Sequence, residues 1–179
     1  MIPMWKLNGR IGNNMFQYAY LYSQMRCGKI PDIYVQNYEY FDMYSDEIKQ
    51  IFGQDIEKND KVAIHVRRGD YVDHPLYVDL MKTNYYNNAM AQFPDSKFKV
   101  YSDDIEWCAK QEIFKDCEFS ENINELEDLN DIAGSKGVIM ANSSFSWWGA
   151  YLNEGNVIAP KQWFTDGTSI KLLDNWKTI

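Results

Sequence analysis

Residues 61–72 read KVAIHVRRGDYV, a short apolar, β-branched run followed by two adjacent arginines. Its first half, KVAIHV, predicts a buried strand. The chain has four arginines, and Arg67 and Arg68 are two of them. Of its two histidines, His65 lies in this run and His74 just past it. The formal net charge is −8, so fixed positive charge gathered at the end of a strand calls for a local anionic partner.

The pattern continues outward from there. NYYNNAMAQF reads as a helix stopped by Pro94, KFKVYS as a strand with Ser102 at its polar end, and DDIEWCAKQEIF as a helix capped by Asp103 or Asp104. CEFS reads as a short strand, NINELEDLNDIAGS as a helix closed by Gly134 or Gly137, GVIMAN as a strand, SFSWWGAYLNE as a helix and NVIAP as a strand ended by Pro160. Strands alternating with helices imply βαβ crossovers and a parallel sheet covered on both faces. The expected fold over 61–179 is therefore a Rossmann-like α/β unit. Residues 1–60 differ. GRIGNNMFQYAYLYSQMRCG reads as a glycine-bearing turn entering a helix with Asn13 or Asn14 near its N-cap. Residues 31–60 have weak periodicity and read as short helices or irregular chain.

Composition narrows the function. With 179 residues and 45% hydrophobic content, the chain can bury a real core. A pI of about 4.7 argues against a nucleic acid or an anionic membrane as partner. No apolar run approaches the roughly 20 residues of a membrane span, and no signal peptide is read at the N-terminus. Cys27, Cys108 and Cys117 are odd in number and widely spaced, which predicts free thiols in a reducing, cytoplasmic setting.

In a parallel sheet, ligands bind outside the carboxyl ends of the strands. Three polar clusters fall at such ends: His65 with Arg67 and Arg68, Ser102 with Asp103 and Asp104, and Asn142 with Ser143 and Ser144. The third precedes a helix, whose free N–H groups suit a phosphate. An arginine fork binds two oxygens at once and suits a diphosphate. An aspartate can accept hydrogen bonds from the N–H groups of guanine. Plainer readings stand beside these. Arg68 can pair with Asp70, Asp103 can be only a helix cap, and Trp147 and Trp148 can be core. The triplet Arg68-Gly69-Asp70 is too common to signify adhesion, and GRIGNN lacks the spacing of a dinucleotide fingerprint.

Taken together, GRIGNNMFQYA, HVRRGDY, VYSDDIEWC, IMANSSFSWWGAYLN and VIAPKQWF resemble the α-1,2-fucosyltransferases, glycosyltransferase family 11. The resemblance implies an inverting transfer of L-fucose from GDP-fucose to a hydroxyl of an acceptor glycan, with no cofactor. It also implies a two-domain GT-B fold whose C-terminal half binds the nucleotide. Carried over by position, Arg67 is similar to the arginine on the β-phosphate, with His65 beside the nucleotide and Arg68 partly structural. Asp103 resembles the acid that reads guanine. Ser143, Ser144 and Phe145 resemble the phosphate and base contacts, and Asn13 and Asn14 the loop that closes over the donor. No Asp-x-Asp triplet is present, so Arg67 is expected to absorb the charge of the leaving phosphate without a metal. Asp70, Asp73 and His74 are the candidates for the acceptor's proton, with Asp73 favoured. The segment between the glycine motif and HVRR is far shorter than the family's. That leaves a minimal enzyme, a cleft completed by a partner chain or a second copy, or a binding module that has lost transfer.

Overall fold

The computed structural model describes residues 9–27, 36–54 and 56–179. Its centre is a six-stranded sheet in the order β3-β2-β1-β4-β5-β6, every neighbouring pair parallel. The strands are β1 (Val62–Val66), β2 (Phe98–Ser102), β3 (Glu118–Phe119), β4 (Gly137–Ile139), β5 (Asn156–Ala159) and β6 (Lys177–Thr178). Sequence order reverses direction between β1 and β4, which makes that gap the switch point where an open α/β sheet opens a crevice. This is the Rossmann-like sheet expected of the nucleotide-binding half of a GT-B glycosyltransferase.

The strands are apolar on successive positions because both faces are covered. Side chains alternate along β1. Val62, Ile64 and Val66 join one core with Tyr85, Tyr86 and Phe114, while Ala63 joins the other with Phe16, Trp147 and Trp148. Helices α3 (Tyr85–Met90) and α4 (Ile105–Cys108) lie on the first side. Helices α1 (Ile11–Arg26), α2 (Ser45–Phe52), α5 (Glu125–Gly134) and α6 (Ser144–Leu152) lie on the second. The described part of 1–60 thus shares the core of the sheet.

Aromatic packing holds that second side together. Trp147 and Trp148 are fully buried core residues. Phe16 of α1 sits 4.6 Å from the Trp147 ring, and Phe41 stacks on Trp148 at 5.7 Å. Such pairs add about 0.5–1.5 kcal/mol each beyond the area they bury. Close approach of the helices requires glycine. A Cβ on Gly12 of α1 would stand 2.5 Å from the Phe145 backbone nitrogen of α6, and one on Gly149 would stand 2.6 Å from Ile132 Cγ2 of α5.

Local signals set most boundaries. Asn124 caps α5 by accepting from the Leu126 and Glu127 N–H groups, and Glu127 reaches back to the Ile123 N–H. Four local features are decided by the structure. Helix α1 starts at Ile11, so Asn13 and Asn14 lie inside its first turn and do not cap it. Asp104, not Asp103, caps α4 by accepting from the Trp107 N–H at 3.2 Å. Helix α4 ends at Cys108, because Gln111 turns extended (φ −88°, ψ 126°) and brings Phe114 into the core. The edge strand β6 was not expected, since two exposed residues carry no periodicity. Of the weakly patterned segment 31–60, residues 31–35 and 55 lie outside the described residues. The three cysteines are free thiols.

Candidate functional site

A cavity of about 670 Å³ opens at the carboxyl ends of β1, β2 and β4, a size suited to a nucleotide-sized ligand. Parallel register explains which groups meet there. Val66 pairs with Ser102, so the residues that follow, Arg67 and Asp103, leave adjacent strand ends side by side. Arg67 Nη1 lies 2.7 Å from Asp103 Oδ2, and Arg67 Nη2 donates to Asp70 Oδ1. Asp103 Oδ1 also accepts from the Arg68 N–H at 2.8 Å. The carboxylate therefore pins both the side chain of one arginine and the backbone of the next. Gly69 makes room for it: φ is +31°, and a Cβ there would stand 2.4 Å from Asp103 Oδ2. Arg10, from the turn before α1, adds a second guanidinium 3.8 Å from Asp103.

The Arg67 side chain is 10% exposed, yet it lines the cavity, so its charge is partly shielded from water while facing the ligand space. His65, within β1, stands two residues before it. Its ring is buried, lies 5.2 Å from Phe145 and, among the described residues, finds no partner for Nδ1. Burial, with Arg67 nearby, pushes its pKa down to about 3, so the imidazole is neutral and can accept a hydrogen bond from a ligand.

Helix α6 presents its N-terminus to the same space. Ser143 is its N-cap in extended geometry (φ −140°, ψ 137°), but its hydroxyl makes no capping bond. Ser144 Oγ donates to Asn13 Oδ1 at 2.9 Å, which also accepts from Gln36 Nε2 at 2.6 Å. The helix's first N–H groups and its dipole thus favour an anion between Ser143, Ser144 and Arg67. Ser146 Oγ accepts from the Ala141 N–H at 2.9 Å and fixes the strand-to-helix turn.

Of the residues expected at a binding site, Asn13, His65, Arg67, Asp70, Ser102, Asp103, Ser143, Ser144 and Phe145 line this cavity. Five are placed elsewhere. Arg68 lays its guanidinium 3.6 Å over the Trp107 ring. Asn142 is a strut: its amide donates to the Val78 and Trp163 carbonyls, both at 2.9 Å. Asn14 lies in α1 outside the lining. Asp73 is exposed, holds a left-handed backbone (φ 54°) and pairs with Lys82 at 3.2 Å. His74 Nδ1 accepts from the Leu76 N–H. The expectation that Asp70 braces Arg68 is corrected: its partner is Arg67.

The sequence reading missed two walls. One is Tyr71, Leu76, Tyr77, Trp163 and Phe164; the other is Asn122 of the β3–α5 connection with Asp128 of α5. Ser120 and Asn122 hold Asp128 Oδ1 at 2.5 and 2.9 Å, and burial raises its pKa. Among the described residues, no three His, Cys, Asp or Glu side chains are grouped to hold a metal ion, and no helix is long and apolar enough to cross a membrane.

Comparison with known proteins bears on this geometry. The family model for glycosyl transferase family 11 matches residues 34–178. An alpha-1,2-colitosyltransferase of Escherichia coli is 35% identical over 159 residues, covering 72% of this chain and 54% of that protein. The O-antigen biosynthesis glycosyltransferase WbnK of Escherichia coli is 30% identical over 135 residues, covering 67% of this chain and 45% of that protein. The chain spans about half the length of these relatives. Among solved structures, E. coli heptosyltransferase WaaC with ADP-2-deoxy-2-fluoro heptose superposes with a TM-score of 0.50 at 12% identity. The match covers 87% of this chain and 46% of that one, and it speaks to the fold alone.

Proposed function

The chain belongs to glycosyl transferase family 11, and from that premise we propose that it transfers L-fucose from GDP-fucose to a hydroxyl of an acceptor glycan. The observation that carries the reading is Arg67, held by two carboxylates at the end of β1 and opposite the α6 N-terminus. In the reaction the acceptor hydroxyl gives up its proton to solvent as its oxygen bonds to the sugar's C1, while the bond from C1 to the β-phosphate oxygen breaks. Negative charge grows on that phosphate as it leaves. Arg67, Ser143, Ser144 and the α6 dipole are preorganised to absorb it in a shielded site, the role a divalent ion fills in other transferases. Metal-independent transfer is part of the proposal.

His65, neutral and with no partner for Nδ1 among the described residues, is suited to accept a hydrogen bond from the donor. Asp103 acts first as a brace for Arg67. Asp70 lies on the leaving-group side through its bond to Arg67, which makes it a positioning residue. An α-1,2 linkage is favoured by the 35% identity to an alpha-1,2-colitosyltransferase. Because that relative is named for colitose, the choice of fucose as sugar needs its own test.

The first experiment is a thermal shift with GDP, with UDP and ADP as controls. Ligand at 100 times its dissociation constant adds about 2.7 kcal/mol, or roughly 5–10 °C for a chain this size. Equal response to all three diphosphates, or to none, would end the GDP reading. A second reading is a module that binds the nucleotide sugar without turnover, favoured by the short run of chain between the GRIGNN and HVRR motifs. Binding of GDP-fucose with neither GDP release nor glycan product would select it. A cleft completed by a partner chain or second copy predicts turnover that rises with protein concentration.

A further inference from the structure

The aromatic wall of the cavity is built by two loops far apart in sequence, and a residue outside the lining fastens both. Leu76 and Tyr77 follow β1, while Trp163 and Phe164 follow β5. A short antiparallel ladder joins the loops. The Val78 N–H donates to the Trp163 carbonyl at 3.1 Å, the Thr165 N–H donates to the Leu76 carbonyl at 2.9 Å, and Tyr77 bridges Phe164. At the outer end, Thr165 Oγ1 donates to the Pro75 carbonyl at 2.7 Å. The inner end closes on Asn142, whose amide nitrogen donates to the Val78 and Trp163 carbonyls, both at 2.9 Å.

Asn142 is 2% exposed and belongs to the turn between β4 and α6, directly before the Ser143 N-cap. Both of its amide hydrogens are used, so its orientation is fixed: turned over, Oδ1 would face two carbonyl oxygens. One turn therefore presents the serines and free N–H groups of the anion site and also grips the aromatic wall. An anion at Ser143 and Ser144 is in this way held at a set distance from Tyr77 and Phe164. We propose that Asn142 is a positioning residue for turnover: it touches no substrate, and it fixes the wall against the leaving-group site so that the bound substrates stay in line across the bond that breaks. This rests on the transferase reading above and adds a residue to it. Misplacement by about 1 Å, caused by a residue remote from the chemistry, costs on the order of 100-fold in rate.

The test measures kcat and KM for GDP release from GDP-fucose, with lactose as acceptor and in water alone, on the full chain. Calorimetric GDP affinity and a melting curve are taken for each variant. Asn142→Ala removes the donor from both carbonyls, and Asn142→Asp keeps the volume but turns oxygen toward them. In both, kcat should fall by about 10- to 100-fold on whichever route wild type shows. GDP affinity should stay within about threefold, because Arg67 and the α6 N–H groups are unaltered. Thr165→Val guards against a failure of the Asn142 variants to fold. Thr165 is exposed and outside the lining, so losing its bond to Pro75 leaves the core intact, and kcat should fall by at least about threefold. A merely structural Asn142 would lower the melting temperature and leave the kcat of folded protein unchanged. Three results overturn the inference alone: a folded Asn142 variant that loses less than about tenfold in kcat, GDP affinity falling in step with kcat, or, where neither Asn142 variant folds, a Thr165→Val enzyme that loses less than about threefold. Wild type that fails to bind GDP, or binds it without turnover, would instead remove the transferase reading and this inference with it.

Discussion

Replacing Arg67 with alanine separates a catalytic arginine from a structural one. Two effects are expected. In stability, Arg67→Ala strands Asp103, whose Oδ2 loses its 2.7 Å partner, and frees Asp70. A charged hydrogen bond contributes about 1.5–3 kcal/mol, but Asp103 keeps the Arg68 N–H and has Arg10 nearby. The net loss should be about 1–2 kcal/mol, or roughly 2–8 °C, leaving a folded protein. In catalysis, removing one preorganised donor to the leaving group costs about 3–4 kcal/mol, or 10²- to 10³-fold in kcat. Two carboxylates left facing the diphosphate deepen the loss through repulsion. Arg67→Lys keeps the charge but cannot hold Asp103 and the phosphate with one planar fork, so an intermediate loss is expected. The assay is GDP release from GDP-fucose, with and without acceptor, beside a urea melt of each variant. The double variant Arg67→Ala with Asp103→Asn is decisive. It should recover stability, since the stranded charge is gone, and relieve only the repulsive part of the loss, leaving turnover at least about 100-fold below wild type. The reasoning fails if Arg67→Ala is folded and turns over within threefold of wild type. It fails equally if the double variant regains turnover, because Arg67 would then serve only to neutralise Asp103.

Three further outcomes follow from the packing and the site. Gly12→Ala gains up to about 1 kcal/mol in helix propensity but drives a methyl into the α6 backbone, 2.5 Å from the Phe145 nitrogen. Backbone cannot yield as a side chain does, so overpacking of about 1–3 kcal/mol should dominate and lower the melting temperature; a more stable variant would contradict the α1–α6 contact. Buried His65 binds its proton only near pH 3 in the folded chain, against 6.5 for the free group. The unfolded state takes up the proton first, so stability falls as pH drops below about 6.5 and stops falling near pH 3. By pH 4.5 the loss relative to pH 8 is about 2–3 kcal/mol, and it should be absent from the pH–stability curve of His65→Asn. Asp73→Asn, outside the lining and paired to Lys82, should leave turnover within threefold. A loss of 100-fold would restore Asp73 as the group that takes the acceptor's proton.

Much of this architecture was legible in the chain because its causes are local. KVAIHV, KFKVYS, GVIMAN and NVIAP are short, apolar and bounded by polar or breaking residues, so the strands and the parallel sheet could be read directly. The polar residues at their ends marked Arg67, Asp103, Ser143 and Ser144 before any coordinates. Their convergence on one cavity follows from strand polarity alone, since parallel strands present all their carboxyl ends on the same edge. Helix ends were less secure. The run DDIEWCAKQEIF is helical by pattern, but burial of Phe114 breaks it at Gln111.

Partnership was decided only by tertiary structure. Register between β1 and β2 sets Asp103 against Arg67 across 36 residues of chain, so a residue the sequence offered as a guanine contact or a helix cap serves as a brace. Asn142 resembled its serine neighbours in sequence, but the fold placed two backbone carbonyls within 2.9 Å of its amide and made it a strut. Asp73 and His74 follow the arginines in sequence yet fall outside the cavity, while Phe164 and Asp128, far away in the chain, enter it. Periodicity and capping act over a few residues and are written in any short window of sequence. Which carboxylate reaches a guanidinium, and which rings line a cleft, depends on strand order and register, and those are fixed only when the whole core packs.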